Sequence, residues 1–359
     1  MDEQFLKEAL KLAKKGLSWT NPHPMVGSVI VKNGKIIAKG YHHRFGGDHA
    51  EMDALKNAKA DVKGASMYVT LEPCHVPYDL HGPRIPCTEI LLRAGISTVH
   101  IATDDSNPKV AGSGRRMLEK MGITTTVGTL ADEALKLNET YHHFMTKGRP
   151  FVASTFSISL DGKIATCTGE SQWITNEKAR AYNHKLRAKY QAILVGIGTV
   201  LKDNPHLGAR IIGIKDPIRI ILDSTLKIPL SSQLLRDKEV IISTSQKADQ
   251  KKLASLQKLG VKIIQFESFN ISIELLLKEL AKQKIISILV EGGGAIHGSF
   301  FDSKLVDKVY AFYGPIIIGG EKAVSAIGGE GAKTLRQAIQ LKNLSYKRLD
   351  DNFVITGYV

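Results

Sequence analysis

The sequence predicts two consecutive α/β domains. Three observations carry that expectation: strand-like apolar runs alternate with helix-spaced segments along the chain, the alternation breaks at Lys147-Gly148-Arg149-Pro150, and 359 residues exceed what one hydrophobic core commonly holds. A turn with Gly and Pro between a polar helical stretch and a new strand reads as a linker, which places the domains at 1–147 and 148–359.

Phe5, Leu6, Ala9, Leu10 and Ala13 recur at helical spacing and predict a first helix over 3–15, ahead of Gly16. Apolar runs at 26–31 and 36–38 flank Asn33-Gly34, a pair that tolerates positive φ and so suits a tight hairpin. Helices at 50–58, 88–94 and 114–121 then alternate with strands at 67–71, 98–102 and 123–127. In the second half, strands at 151–157, 192–195, 219–222, 240–243, 262–265 and 286–290, with helices between most of them, predict a parallel sheet covered on both faces. Residues 308–313 and 352–358 are strand-like with no long apolar helix between them, which suggests an antiparallel edge.

Composition excludes several classes. Hydrophobic residues make up 43% and charged residues 23%, the balance of a chain that folds. No apolar run approaches a membrane span and the N-terminus lacks a signal-peptide pattern, so neither a membrane partner nor secretion is expected. Three cysteines cannot build a disulfide framework and fit a reducing, cytoplasmic setting. The net charge of +14 is uneven: up to Pro150 there are 20 basic and 16 acidic residues, against 29 and 19 after it. The second half therefore suits phosphorylated small molecules. A nucleic-acid partner would need aromatics interleaved with basic residues, and 6% aromatics with no such run argues against one. A homo-oligomer is expected.

The first half holds a metal-ligand pattern. His49-Ala50-Glu51 opens a predicted helix, Glu72-Pro73-Cys74 follows a predicted strand, and Pro86-Cys87 opens the next helix. One imidazole and two thiolates leave a fourth zinc position for water, as hydrolytic sites require. A helix N-terminus favours the thiolate at Cys87. Glu51 can face the same metal as His49 only within the first helical turn, where it would take a proton from water and pass it to leaving ammonia. His75 and His81, between the two cysteines, compete as ligands.

These residues, with Thr20 to Gly27 and the run Asp105 to Gly114, resemble the N-terminal domain of the bifunctional deaminase-reductases of riboflavin biosynthesis. The resemblance implies a cytidine-deaminase-like α/β/α domain that hydrolytically deaminates 2,5-diamino-6-(5-phosphoribosylamino)pyrimidin-4(3H)-one, with zinc on His49, Cys74 and Cys87 and Glu51 as proton shuttle. Two departures stand out: His23 replaces an asparagine of the family pattern, and the loop from Cys74 to Cys87 is longer than usual. Within that loop, Arg84 suits the ribose phosphate because guanidinium grips phosphate in two places.

The second half contains Glu291-Gly292-Gly293-Gly294-Ala295 between an apolar strand and a helix, which reads either as a phosphate cradle or as a tight turn. Ser159 to Lys163, Gly169 to Thr175, Gly196 to Val200, Asp203 to Pro205 and Leu207 to Arg210 resemble the same family's reductase domain, similar in fold to dihydrofolate reductase. The resemblance implies NADPH reduction of the ribosyl to a ribityl chain. It puts NADPH on Ser157, Trp173, Thr199, Asp203, Ser224, Gly293, Gly294, Ala295, Ile296, His297, Gly298 and Ser299, and substrate on Ser171, Arg187, Leu207, Arg210 and Glu291. Lys163 is a candidate to polarise the carbonyl oxygen as hydride arrives, and Arg187 and Arg210 suit a phosphomonoester. Trp173 reads alternatively as a packing residue, Asp161-Gly162 as a β-turn, and Cys167 as a small packed residue. An alternative reading keeps the reductase but leaves the first domain with zinc and a lost or changed substrate.

Overall fold

The computed structural model describes residues 2–77, 82–236 and 239–359. The chain divides into two compact units, Met1–Gly148 and Arg149–Val359. The first unit contains strands β1 (Gly27–Lys32), β2 (Lys35–Tyr41), β3 (Ser66–Val69), β4 (Thr98–Ile101) and β5 (Thr124–Val127), in the order β2-β1-β3-β4-β5. Its helices are α1 (Asp2–Ala13), α2 (Ala50–Lys56), α3 (Cys87–Arg93), α4 (Ser113–Lys120), α5 (Ala131–Leu137) and α6 (Glu139–Lys147).

The expected hairpin forms, with Asn33 and Gly34 both at positive φ (52° and 73°). β1 runs antiparallel to β3, whereas β3, β4 and β5 are mutually parallel. Alternate residues feed two cores. Ile30, Met67, Val69, Val99 and Ile101 pack with Ala54, Leu91 and Leu118 of α2, α3 and α4. Val29, Val31 and Tyr68 pack with Phe5, Leu6 and Leu10 of α1 and Ala134 of α5. The sheet is thus filled on both sides, which holds the ends of β3 and β4 where loops can carry chemistry. The first helix ends at Ala13, short of the expected limit, and closes in a 3₁₀ turn over Lys14–Gly16.

The second unit contains β6 (Phe151–Ile158), β7 (Lys163–Ala165), β8 (Ala192–Gly196), β9 (Ile218–Leu222), β10 (Val240–Ser245), β11 (Lys262–Phe266), β12 (Ser287–Glu291), β13 (Lys308–Tyr313), β14 (Val324–Ser325), β15 (Lys342–Leu349) and β16 (Asn352–Tyr358). Its helices are α7 (Glu177–Lys189), α8 (Ile197–Asp203), α9 (Gln250–Lys258), α10 (Ile273–Lys282) and α11 (Gly294–Asp302). Nine strands form one sheet in the order β11-β10-β9-β8-β12-β6-β13-β16-β15, parallel through β13 and antiparallel at the β16-β15 edge.

The continuous apolar runs of β8, β10 and β12 follow from burial on both faces. Leu194, Ile241 and Val290 meet Leu276, Leu280 and Phe300, while Val195, Ile242 and Ile221 meet Leu253 and Leu256. β15 escaped prediction because all but its last residue are exposed and its sequence does not alternate. The small β7–β14 pair is also unpredicted, and Cys167, expected to pack, is exposed in the turn after β7.

Leu118 lies wholly inside the first core, whereas Leu344 on β15 is exposed. Leu118→Ala is expected to cost about 2–5 kcal/mol, and Leu344→Ala under about 0.5 kcal/mol, in urea denaturation followed by circular dichroism. Equal effects would contradict this placement of the core.

Candidate functional site

His49 precedes α2 as its N-cap, and Cys87 is the first residue of α3 behind Pro86. Cys74 sits in the loop after β3. The ligand atoms of His49, Cys74 and Cys87 all lie within 4.8 Å of one another. His49 Nδ1 is 3.3 Å from Cys87 Sγ and 3.6 Å from Cys74 Sγ, and the Cys87 backbone N–H donates to Cys74 Sγ at 3.4 Å. Donation from Cys87 and the neighbouring His49 bring the Cys74 thiol down to about 4, despite burial. Cys87 is pushed up by the Cys74 sulfur and by burial. One imidazole nitrogen and two converging sulfurs are the donor set zinc prefers, so the residues present fit that ion.

Glu51, on the first turn of α2, is buried, and desolvation pushes its carboxyl above the usual range. Arg84 brings Nη1 to 2.6 Å from His49 Nε2, which puts its guanidinium beside the ligand cluster. Of the two competing histidines, His75 turns Nδ1 toward Ser113 Oγ at 3.4 Å and is outside the ligand group, and His81 lies outside the described residues. His23 is buried with its ring centroid 6.1 Å from that of His49. His42 Nδ1–H donates to the Asp48 carbonyl at 2.7 Å, so its Nε2 accepts from His23 Nδ1–H at 3.2 Å.

Sequence reasoning gave Glu72 no role of its own. Its buried carboxylate accepts backbone N–H bonds from Asp105 (2.9 Å), Gly112 (2.8 Å) and Arg115 (2.9 Å). Those donors include the cap and third residue of α4, so Glu72 ties the Cys74 loop to the start of that helix. A charged residue directly after the strand expected at 67–71 was the available signal.

In the second unit, several residues expected at the reductase site lie at or just past the ends of parallel strands. Ser157 is near the end of β6, Glu291 ends β12, Ser224 follows β9, and Thr199 and Asp203 lie one turn apart on α8. Trp173 is 68% exposed with the Arg180 guanidinium 4.4 Å from its ring centroid, so it is not a packing residue. Ser171 lies two residues before it in the same loop. Gly293 caps α11 with open space where a side chain would stand, which leaves the turn accessible to a phosphate. Gly294 and Gly298 have a different use: a Cβ on either would strike the backbone of 325–329. Ala295 and Ser299 lie on the same helix, while Ile296 packs beneath Gly196 and Gly292. His297 is fully buried, with Nδ1 2.8 Å from Ser154 Oγ and burial pulling its pKa down to about 4, so its ring faces the core.

Arg187 forms a two-pronged pair with Glu291, at 2.9 and 2.8 Å, so these two expected substrate residues meet. Arg210 is exposed at φ 54° in a loop where Asn204 (39°) and Leu207 (61°) are also left-handed, and Leu207 is buried. Such a cluster of strained residues commonly marks a ligand site. Lys163 opens β7, and Ser159 Oγ accepts its N–H at 2.9 Å. Asp161 does more than form a turn: its carboxylate accepts from Ser159 Oγ–H and from the N–H groups of Ile318 and Gly319, which hold its pKa down to about 2. Asp223 is buried and turned inward, accepting from Lys227 and Ile228 N–H.

Comparison with known proteins gives a consistent pattern. The cytidine and deoxycytidylate deaminase zinc-binding region matches residues 1–103, and the RibD C-terminal domain matches residues 150–355. The riboflavin biosynthesis protein RibD of Actinobacillus pleuropneumoniae is 41% identical, across 99% of this chain and 94% of its own. That of Bacillus amyloliquefaciens is 40% identical, across 99% and 96%. Among solved structures, Acinetobacter baumannii RibD superposes with TM-score 0.90 at 32% identity, covering 99% and 98%. The Thermotoga maritima diaminohydroxyphosphoribosylaminopyrimidine deaminase/5-amino-6-(5-phosphoribosylamino)uracil reductase gives 0.87 at 38% identity, with the same coverage.

In metal-stripped protein, one thiolate is expected to persist down to about pH 4, seen as absorbance near 240 nm that Cys74→Ser abolishes. The folded pKa lies below the unfolded one, so this thiolate stabilises the fold at high pH and the contribution disappears as pH falls through about 4. A first thiolate appearing only near pH 8–9 would contradict the described contacts.

Proposed function

Because the chain belongs to the RibD family of riboflavin biosynthesis, we propose that it catalyses two consecutive steps: deamination of the phosphoribosylamino-diaminopyrimidinone in residues 1–147 and reduction of the product's ribosyl to ribityl in residues 148–359. The observation that carries the reading is the convergence of His49, Cys74 and Cys87 beside a buried Glu51, in one chain with a second unit that matches the RibD C-terminal domain. Zinc held by those three residues supplies the Lewis acidity that activates water at neutral pH. The Glu51 carboxylate takes a proton from that water and delivers it to the departing amino group; its raised pKa suits both transfers. Arg84 meets the substrate phosphate at the mouth of the site. Nothing in the site or its relatives favours a metal kept for structure alone.

NADPH, when bound, would supply the hydride that reduces the open sugar. Ser157, Trp173, Thr199, Asp203, Ser224 and the Gly293–Ser299 turn hold it, with His297 and Gly298 contributing backbone only. Ser171, Arg187, the backbone at Leu207, Arg210 and Glu291 hold the substrate, and Lys163 donates to the carbonyl oxygen as charge develops there. The enzyme works in the cytoplasm, where a thiolate site stays reduced; among the described residues no helix is long and apolar enough to cross a membrane. It binds small molecules rather than nucleic acid or membranes. It assembles as a homo-oligomer, supported by Leu344 and Tyr346 standing 63% and 84% exposed on the edge strand β15.

Glu51→Gln is expected to keep about one zinc per chain yet lose ammonia release by roughly three or more orders of magnitude, with NADPH oxidation on pre-deaminated substrate intact. Loss of both activities would contradict the division of labour. Ser224 and Lys227, beside the inward-turned Asp223, suit the 2′-phosphate, so NADPH should exceed NADH by about tenfold or more in kcat/KM. The Ser224→Ala/Lys227→Ala double variant should lose that preference, and equal use of both nucleotides by the wild type would overturn the assignment.

A further inference from the structure

Resting on the reading of Lys163 as the donor to the reacting carbonyl, we propose that residues 316–331 form a strap that sets Lys163 against the nucleotide turn of α11, and that Asp161 is the positioning residue that fastens it. Ser325 is where the strap touches both. It is the register partner of Lys163 across β14 and β7, and Lys163 Nζ lies 3.5 Å from its Oγ. The carbonyl of the same residue faces α11 so closely that a Cβ on Gly294 would stand 2.5 Å from its oxygen. Gly328 N–H donates to the Gly294 carbonyl at 2.9 Å, and a Cβ on Gly298 would strike the Gly328 backbone. One short segment therefore fixes the separation between the amine and the helix that carries the open turn at Gly293.

Burial does little to hold this segment in place. Within 316–331 only Ala323 and Ala326 are buried, while Ile317, Val324 and Ile327 are exposed. A segment with so few buried apolar contacts opens locally unless polar ties hold it. Two carboxylates supply such ties. Asp161 Oδ1 accepts from Ile318 N–H at 3.0 Å, and Oδ2 from Gly319 N–H at 2.8 Å. Asp302, the last residue of α11, accepts from Glu330 N–H at 2.9 Å and from Gly331 N–H at 3.2 Å. Each tie sets an ionised acceptor on backbone donors, the stronger kind of hydrogen bond.

Asp161 also governs the turn that leads into Lys163. Its Oδ1 accepts from Ser159 Oγ–H at 2.6 Å, and Ser159 Oγ in turn accepts the Lys163 N–H at 2.9 Å. Leu160 N–H donates to the Ile316 carbonyl at 2.7 Å, which closes the turn onto the start of the strap. The backbone of Lys163 and the strap beside its amine thus take their places from one carboxylate. Without Asp161 the strap is released on the Lys163 side, while Asp302 still holds its other end to α11.

The test uses the full-length protein with two readouts, amide hydrogen exchange along 316–331 and hydride transfer from NADPH to the deaminated pyrimidine. Asp161→Ala should speed exchange at Ile318 and Gly319 about tenfold or more and leave Glu330 and Gly331 unchanged, and Asp302→Ala should do the converse. In turnover, Asp161→Ala should lower kcat about tenfold or more with calorimetric NADPH affinity kept within about threefold. Asp161→Asn keeps one acceptor oxygen and should recover about threefold or more of that loss. Lys163→Met should also lower kcat, and adding Asp161→Ala to it should cost no more than about threefold further, because nothing is left to position. With Lys163→Met impaired, unchanged exchange at 318–319 in Asp161→Ala, or losses that multiply in the double variant, would overturn the proposal alone. Wild-type turnover in Lys163→Met would overturn the reading of Lys163 and the proposal together.

Discussion

Backbone N–H groups in the first turn of a helix have no partner inside that helix, and both units turn this constraint into chemistry at the ends of parallel strands. In the first unit, His49 caps α2, Cys87 opens α3 with its N–H on the Cys74 sulfur, and Glu72 fills the start of α4. Three helix starts meet around β3 and β4, and the ligand cluster is where they meet. In the second unit Gly293 caps α11 with open space beside the end of β12, while Gly196 caps α8 closed against Ile296.

The two sites solve different problems from that common start. A metal needs three side-chain atoms at set distances, so the first unit fixes side chains, and Glu72 does so from behind by binding three backbone donors at once. A dinucleotide with a sugar substrate needs open backbone and one oriented carboxylate. The second unit accordingly leaves space at Gly293, turns Asp223 inward, and binds Glu291 to Arg187 and Asn183. Arg187 is paired with Glu291 in the fold, while Arg210 is exposed.

Much of the fold was legible because burial on one or both faces imposes a pattern: the hairpin at Asn33-Gly34, the alternating helices, the apolar runs of β8, β10 and β12. β15 was not, because an exposed edge strand carries no such pattern. The metal ligands were legible because few residue types bind zinc, and the geometry separates Cys87 from His75, which spacing could not. Glu72 and Asn183 were not, since their partners are backbone groups or residues far along the chain. Cys167 and Trp173 show the same limit: residue type suggests burial, and loop placement puts both in the open.

On this reading one chain releases ammonia and then consumes NADPH. A two-stage assay on the zinc-loaded wild type with the phosphoribosylamino-diaminopyrimidinone tests it most directly, reading ammonia first without nucleotide and then NADPH oxidation on its addition. The account predicts ammonia release in the absence of NADPH, followed by oxidation of about one NADPH per ammonia, as successive steps on one molecule require. NADPH oxidation with pre-deaminated substrate but no ammonia from the starting pyrimidine would contradict it.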